Sequence, residues 1–326
     1  MTAATGATVD WQPSAAWSAL RLRAGLLRET RTWFAELGVL EVETPCLAAA
    51  GVTDVHLQSL EVRTADGERL GYLQTSPEYA MKRLLAAGAP DIYQLGHVFR
   101  GAERGRRHNL EFTMVEWYRR GIDEHALMDE VEALLRRLLT PHRPLAATQR
   151  LHYHQAVDGA LGLASMDADA AALCGALQRA GIDVPDSLHS ERDALLDLAI
   201  SLLVAPGFPA DRITFVHDFP ASQAALARVA GPVAARFEAY VGELELANGF
   251  HELVDPEEQT RRFAADAAER VRRGLPPLEP DVRFLAALRA GLPPCSGVAL
   301  GFDRVVMLAL GADHIDATLA FPYERA

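Results

Sequence analysis

The most informative segment of the sequence is FRGAERGRRHNLEF, Phe99 to Phe112. Four arginines and His108 fall within residues 100–108, in a chain whose formal net charge is −12. The flanking stretches, DIYQLGHVFR at 91–100 and EFTMVEWYRR at 111–120, are rich in aromatic and β-branched residues, which is typical of strands. The sequence therefore predicts a hairpin whose loop concentrates positive charge and binds an anion, either a polynucleotide backbone or one small phosphate ester.

The bulk composition narrows the choice of anion. At 326 residues and 49% hydrophobic residues the chain is long and apolar enough to bury a sizeable core. A sequence pI near 5.4 argues against a broad basic face of the kind that binds nucleic acid non-specifically, although a compact basic patch remains possible.

The spacing of the cysteines and the pattern of apolar residues indicate the cellular compartment in which the protein is expected. Cys46, Cys174 and Cys295 are widely spaced and form no CxxC pair, so neither a disulfide framework nor a zinc site is indicated. The N-terminus lacks the pattern of a signal peptide, and no apolar run is long enough to cross a bilayer. We expect a soluble cytoplasmic protein that does not bind membranes.

The first part of the chain predicts alternating helices and strands. Gly38 ends a helical pattern, Pro45 ends a strand, and Asp66-Gly67 marks a hairpin turn. Pro77, after a serine, marks a helix start. The predicted elements are a helix at 14–37, a strand at 39–47, a hairpin at 57–74 and a helix at 76–88.

The later part divides into a helical and a mixed region. Residues 123–205 are mostly helical in pattern and carry no recognisable motif, so we treat them as an insertion or packing region. Strand patterns resume at 212–220 and 237–253, a charged helix follows at 256–274, and a glycine-containing strand and helix occupy 295–311. We find no composition shift that marks a second domain, which predicts one domain over 1–326.

Two arginines next to glycines indicate where phosphate binds. Arg100 follows a predicted strand and Arg304 begins a predicted helix, and glycines beside them allow close approach of a ligand to the backbone. Guanidinium forks match phosphate oxygens well. Phe112 lies beyond the loop, where its ring could pack against a base; alternatively, the loop is a solvated charged hairpin and Phe112 a core residue.

Two acidic sets need a separate explanation. Glu238 and Glu245 are seven residues apart, so a turn or bulge, which Gly242 permits, must bring them together. Two carboxylates beside phosphate-binding arginines indicate a divalent cation, and magnesium is the natural one for a triphosphate. The second set comes from separate segments and is informative only if those segments meet: Glu78, Glu116, Tyr118, Asn248 and Glu252.

Together these motifs resemble the class II aminoacyl-tRNA synthetases, and among them the lysyl-type members, from residue 14 onward. GVLEVETPCL, FRGAERGRRHNLEF and GVALGFDR are similar to the three ordered motifs of the class, and TSPEYAMKRL and ELANGFHEL add to the match. The resemblance implies an α+β fold, the class II catalytic core, in which helices flank an antiparallel sheet. It also implies a homodimer with Pro45 in its interface.

The resemblance implies that the anion is ATP with Mg²⁺. By resemblance, Arg100 binds the α-phosphate, and His108 and Arg304 contact the outer phosphates. Phe112 would stack on adenine, with Arg304 over the other face. The remaining implied nucleotide residues are Glu103, Asn109, Leu246 and Gly301, and the implied metal ligands are Glu238 and Glu245. Arg100 and Arg304 would be the catalytic pair.

The lysyl-type resemblance also gives the second acidic set a role. Glu252 and Tyr118 would receive a distant ammonium group of the substrate, while Glu78 and Glu116 would lie near a second amine. A substrate with two amines is therefore implied. The other implied pocket residues are Ser76, Pro77, Asn248, Phe250 and Ala299.

The chain begins almost at the first class motif, so we expect no anticodon-binding domain and no tRNA. The full pattern resembles the elongation factor P lysine ligases, which are truncated relatives of lysyl-tRNA synthetase. That resemblance implies adenylation of (R)-β-lysine and its transfer to the ε-amine of a lysine on elongation factor P. The alternatives are an enzyme that makes lysyl-adenylate or charges tRNA, and a catalytically silent regulatory relative.

The chain departs from the class pattern at a few positions. The second motif has Gly101, Ala102 and Leu110 where asparagine, glutamate and proline are usual, which puts adenine contacts from this segment in doubt. Glu103 stands one place after the usual glutamate. In the third motif Ala299 replaces a glycine, and we expect its methyl group to narrow the amino-acid pocket in favour of a β-amino acid.

Overall fold

A computed structural model describes residues 11–326. Its helices are α1 Trp17–Glu36, α2 Glu78–Ala86, α3 Glu124–Leu139, α4 Tyr153–Leu161, α5 Ala170–Arg179, α6 Arg192–Ala199, α7 Pro256–Arg272, α8 Val282–Gly291 and α9 Phe302–Leu310. Its strands are β1 Leu40–Glu41, β2 Leu47–Ala48, β3 Leu60–Arg63, β4 Arg69–Leu73, β5 Ile92–Phe99, β6 Glu111–Arg120, β7 Gln149–His152, β8 Ile213–Pro220, β9 Val229–Ala230, β10 Val233–Val241, β11 Leu244–His251 and β12 Cys295–Gly301. Within 11–326 no helix combines the length and the apolar character that crossing a membrane requires.

The main sheet has the strand order β1-β5-β6-β12-β11-β10-β8-β7, and β9 pairs with β10. All pairs between β5 and β8 are antiparallel, which confirms the predicted antiparallel sheet. The edge pairs β1–β5 and β7–β8 are parallel, so the sheet as a whole is mixed. A small second sheet contains β2, β4 and β3 in that order.

The basic hairpin is formed by β5 and β6, the second and third strands in this order. β5 and β6 pair from Ile92↔Tyr118 to Phe99↔Glu111, and the arginine-rich loop connects them. The hairpin predicted at 57–74 forms between β3 and β4, and Gly67 adopts a φ of 90° in its loop. The predicted helix after Ser76 begins at Glu78 rather than at Pro77.

The strand predicted over 39–47 is divided between the two sheets. Leu40 and Glu41 pair with β5, whereas Leu47 and Ala48 pair with β4. The chain changes sheets in between because Pro45 has no N–H to continue a ladder. The backbone N–H of Thr44 donates instead to the side-chain oxygen of a glutamine on β5, over 2.9 Å.

Three apolar clusters hold the helices to the sheet. The first joins α1, α3 and α9 to the sheet around the fully buried Trp117, whose ring meets Trp33 and Phe34 edge-on. The second joins α4, α5 and α6 to β8 and β10 around Tyr153, and the third joins α2 and α8 around Phe284. Within 123–205, α3 thus belongs to the main core and β7 to the sheet edge, while α4–α6 form their own cluster.

We expect Gly249→Ala to lower the free energy of unfolding by about 1–3 kcal/mol, because overpacking forces shifts in a dense core. A Cβ atom at Gly249 would lie 2.4 Å from the ring of the fully buried Phe237. The matched control is Gly25→Ala inside α1, where no atom lies within 4 Å and alanine should stabilise the helix by about 0.5–1 kcal/mol. Urea unfolding measures both, and a Gly249→Ala protein as stable as the parent would contradict the packing.

Candidate active site

One concave pocket opens over the middle strands of the main sheet and the start of α9. It receives side chains from the basic loop, from β6, from β11 and from the β12–α9 junction. Its lining residues are Arg100, Glu103, Arg107, His108, Asn109, Phe112, Met114, Glu245, Leu246, Ala247, Asn248, Ala299, Gly301, Asp303, Arg304 and Ile315. All the residues predicted to bind nucleotide except Glu238 therefore line one cavity.

Arg304 is held rigidly at the wall of this pocket. Its Nη1 donates to the backbone oxygen of Glu245 over 2.7 Å, and its Nη2 lies 2.7 Å from Nε2 of His108. Burial and the positive charge of Arg304 lower the pKa of His108. His108 is therefore the neutral hydrogen-bond acceptor for this guanidinium group, which leaves the positive charge on the arginine.

Arg100 lies on the opposite side of the basic loop. Its Nη1 is 3.2 Å from Oε1 of Glu103, and its guanidinium carbon is 5.2 Å from the centre of the Phe112 ring. Glu103 thus orients Arg100 within the pocket, although it stands one position later than the usual glutamate. Gly101 packs against β3: a Cβ atom there would lie 3.0 Å from Leu60, so an asparagine at this position would require movement.

Two further predicted nucleotide residues differ in their environment. A Cβ atom at Gly301 would meet only side-chain carbons of Arg304 and the backbone oxygen of Leu246, all at 3.7 Å or more. Gly301 therefore leaves space in the pocket rather than relieving a clash within the protein. Asn109, in contrast, donates to the backbone oxygen of Glu111 over 2.7 Å and accepts from the N–H of Tyr323 over 3.1 Å, so it also fixes the C-terminal turn.

Glu238 and Glu245 lie close enough for their charges to interact, and their role as metal ligands stays a prediction. A turn at Gly242, with a φ of 58°, and a register shift at Ala239/Tyr240 bring the strands carrying them side by side. Burial and the negative charge of Glu238 raise the pKa of Glu245. Glu245 reaches the pocket, whereas Glu238 lies behind it with its oxygens on Arg236 and Tyr240.

A second polar cluster lies beside this arginine-lined pocket and is deeply buried. Glu116 is 2% exposed, and its two oxygens accept from the hydroxyl groups of Ser76, over 2.7 Å, and Tyr118, over 2.6 Å. Ser76 also accepts from the N–H of Glu78 at the start of α2, over 3.0 Å. Burial and the charge of Glu78 raise the pKa of Glu116 to about 7.

Glu252 closes this cluster from the end of β11. It is 1% exposed, and its Oε1 has no hydrogen-bond partner among residues 11–326. A Cβ atom on Gly297 would lie 2.5 Å from that oxygen and 2.3 Å from the ring of Tyr118. Gly297 therefore gives the carboxylate room, and a buried oxygen without a donor lacks a partner that a ligand could supply.

Lys82, the only lysine of the chain, was not predicted as a site residue. It is 1% exposed, and its Nζ lies 2.5 Å from oxygens of both Glu78 and Glu252. Those two carboxylates raise its pKa against the effect of burial, so it is a cation. Burial raises the pKa of Glu252 to about 8 even though Lys82 acts in the opposite direction. The sequence did contain a signal for Lys82, because it lies one helical turn after Glu78 on the same face of the helix.

The register of the sheet connects the carboxylate cluster with the arginine-lined pocket. Glu116 on β6, Ala299 on β12, Asn248 on β11 and Glu238 on β10 stand directly opposite one another in a row. Directly paired residues share a sheet face, so this row connects the carboxylate cluster to the nucleotide pocket. Asn248 accepts from Arg236 over 3.1 Å, and Ala299 lies at the boundary between the pockets.

The remaining predicted pocket residues lie at the margins. Pro77 and Ser76 line a neighbouring cavity together with Tyr79, in front of α2. Phe250 pairs with Gly297 across the sheet, and its ring packs against the second apolar cluster. Neither Pro77 nor Phe250 offers a side-chain hydrogen-bond donor or acceptor. Any contribution of these two residues to binding would come from the shape that they give the site.

A buried ion pair beneath the pocket was also missed. Asp303, 1% exposed, accepts from the backbone N–H of Thr113 over 2.6 Å and pairs with Arg23 of α1, which also donates to the Thr113 hydroxyl over 2.7 Å. These bonds fix the start of α9 against β6. They therefore position Arg304, the next residue.

Comparison with known proteins agrees with this geometry. The family model described as tRNA synthetases class II (D, K and N) matches residues 3–325. The chain belongs to the class II tRNA synthetase family. The fold expected from the sequence motifs is thereby confirmed for this class II chain.

Individual relatives narrow the similarity. The chain is 49% identical to the elongation factor P--(R)-beta-lysine ligase of Vibrio cholerae over 97% of its length and 99% of that protein. It is 48% identical to the ligase of the same name from Yersinia enterocolitica over 98% of its length, and 47% identical to that of Salmonella gallinarum, again over 98%. The expected resemblance to these ligases is confirmed.

We expect Lys82→Met to lower the free energy of unfolding by about 3–5 kcal/mol at neutral pH, because it leaves two buried carboxylates without their cation. Glu252→Gln in the Lys82→Met background should recover part of this loss. Chemical unfolding of the two single variants and the double variant gives the coupling energy. A loss below about 1 kcal/mol for Lys82→Met would show that the ion cluster is not a structural constraint.

Proposed function

We propose that the chain is an ATP-dependent ligase that adenylates (R)-β-lysine and transfers it to a lysine ε-amine of elongation factor P. The observation that carries this proposal is the buried carboxylate cluster beside an arginine-lined pocket. The relatives bear the names of elongation factor P--(R)-beta-lysine ligases over nearly their whole length, which supports the same substrates here.

The charge of the cluster favours a substrate with two amines. Glu78, Glu116 and Glu252 are three carboxylates, and Lys82 is the one cation among residues 11–326 that contacts two of them. Fully ionised, the cluster would carry a net charge of about −2, which two ammonium groups of one substrate neutralise. The free Oε1 of Glu252 is the acceptor for one of them.

The adjacent pocket suits a nucleoside triphosphate. Arg100, His108 and Arg304 offer donors for phosphate oxygens, and Phe112 offers a ring for the base. Glu245, with Glu238 behind it, supplies carboxylate oxygens that fit Mg²⁺, and burial together with the negative charge of Glu238 raises the pKa of Glu245. Magnesium, when bound, would neutralise phosphate charge.

In the first step, the carboxylate oxygen of β-lysine attacks the α-phosphorus of ATP, and pyrophosphate leaves as the mixed anhydride forms. Arg100 stabilises the negative charge that builds up on the α-phosphate oxygens. Arg304 stabilises the negative charge that builds up on the leaving pyrophosphate. The row from Glu116 to Asn248 holds the amino acid next to the nucleotide, so that much of the rate comes from orientation.

In the second step, the deprotonated ε-amine of the acceptor lysine attacks the carbonyl carbon of the anhydride. An amide forms and AMP leaves. No side-chain nucleophile is required in either step. We place this chemistry in the cytoplasm, in a homodimer, with elongation factor P as the protein acceptor.

The first experiment is amino-acid-dependent ATP–pyrophosphate exchange with (R)-β-lysine, α-lysine or no amino acid. We expect exchange to be fastest with (R)-β-lysine, and Glu252→Gln to lower kcat/KM for the amino acid about 100-fold or more by removing a buried charged partner. Preference for α-lysine would favour an enzyme that makes lysyl-adenylate or charges tRNA. Absence of exchange with either amino acid would indicate a silent regulatory relative and would sink the proposal.

The same assay tests the role of Ala299. Its methyl group lies between Asn248 and Glu116 at the junction of the pockets. Ala299→Gly should raise exchange with α-lysine relative to (R)-β-lysine, since one methyl group is worth about 1–3 kcal/mol of discrimination. An unchanged ratio would remove Ala299 as the selectivity determinant.

We also expect the apparent affinity for (R)-β-lysine to rise with pH between about 6 and 8. The pKa values of Glu116 and Glu252 are raised to about 7 and about 8, so both carboxyls become neutral as the pH falls. The substrate amines stay protonated throughout this range, but they lose their carboxylate partners as the pH falls through it. KM measured by exchange at constant ATP should decrease about tenfold or more across this interval; a flat profile would contradict the assignment.

A further inference from the structure

A histidine–aspartate cluster lies away from the active-site pocket, at the β7–β8 edge of the sheet. His152 ends β7 and stands directly opposite His217 in the parallel pair with β8. Their rings are 4.4 Å apart, and Asp218 follows His217. The ligand atoms of these three side chains all lie within 4.8 Å of one another, and no other such grouping exists in residues 11–326.

The backbone of Asp218 explains how neighbouring residues can face the same point. Consecutive residues of a strand normally face opposite sides of a sheet. Asp218 has a φ of 61°, in the left-handed region that non-glycine residues avoid. This conformation turns its carboxylate towards both histidines: Oδ2 lies 2.7 Å from Nδ1 of His152 and 3.1 Å from Nδ1 of His217.

His217 supplies the second observation. It is 6% exposed, and its Nδ1, although 3.1 Å from Oδ2 of Asp218, makes no well-aligned hydrogen bond among residues 11–326. Nδ1 of His152, in contrast, does bond to Asp218. A buried, unbonded imidazole nitrogen next to a carboxylate lacks a partner that a metal ion would supply.

The geometry points to a binding site for a divalent transition-metal ion of the zinc class, formed by Nδ1 of His152, Nδ1 of His217 and Oδ2 of Asp218, with water in the remaining positions. Atoms that each lie about 2.1 Å from one ion stand about 3 to 3.5 Å apart. The 3.1 Å spacing of Asp218 to His217 already fits this range, and the 2.7 Å spacing to His152 would lengthen slightly on binding. On binding, His152 shifts its ring proton from Nδ1 to Nε2. The side chain of His152 is 46% exposed, so the ion enters from solvent.

Such an ion would connect the segment that leads into α4 with the main sheet. β7 and β8 are a short parallel pair at the sheet edge, and α4 starts at the residue after His152. The ion would add bonds between β7 and β8 that the apo protein lacks. Because it binds only the folded protein, it would raise the unfolding temperature with its concentration.

The test uses full-length protein freed of metal by a chelator, with excess Mg²⁺ present to occupy oxygen-only sites. Co²⁺ is titrated while its visible absorption is followed, and Zn²⁺ affinity is obtained by competition and by the shift in unfolding temperature. The variants are Asp218→Asn, which tolerates the positive φ, and His152→Gln. The control is His154→Gln, whose ring is 5.5 Å from that of His152 but outside the ligand set.

We expect one equivalent of Co²⁺ to bind, with an affinity about tenfold or more lower in Asp218→Asn and His152→Gln and unchanged in His154→Gln. Absence of saturable binding near one equivalent would overturn the site. Binding that neither variant weakens, or that His154→Gln weakens equally, would overturn the ligand assignment. Circular dichroism of each variant separates loss of a ligand from loss of fold.

Discussion

The buried ion cluster around Lys82 is the constraint on which the rest of the candidate site depends. One lysine on α2 contacts a carboxylate of its own helix and Glu252 at the end of β11, and both contacts are almost removed from water. A buried charge without its partner costs several kcal/mol, so α2 and the central sheet must stay in one relative position. That position places Ser76 within hydrogen-bond distance of Glu116. A single internal cation therefore positions the acidic pocket and partly neutralises it.

The antiparallel sheet then supplies the alignment between the two halves of the site. Because paired residues face the same side, the row Glu116, Ala299 and Asn248 runs directly from the acidic cluster to the nucleotide pocket. A substrate held by its amines in the first would direct its carboxylate towards the second. The chemistry we propose needs this proximity more than it needs any reactive side chain.

Two glycines and the buried salt bridge beneath α9 set the space around the site, although only Gly297 of the two stands where a Cβ atom would clash within the protein. Gly297 lets Glu252 and Tyr118 approach one strand closely, and Gly301 leaves room beside Arg304. The pairing of Asp303 with Arg23 and Thr113 holds the start of α9. Backbone and buried charge thus decide where Arg304 lies before any ligand is present.

Local sequence determined the elements and the chemistry of this protein. Periodicity, glycines and prolines predicted the long helices, the basic hairpin and the turn at Gly242, because these features act over a few residues. The motifs sufficed for the fold and the family. The division of residues 39–47 between two sheets, the partners of Lys82 and the His152–His217–Asp218 cluster were decided by the tertiary structure alone. Each depends on contacts between segments far apart in the chain, and the strand register that creates them is set by packing of the whole sheet.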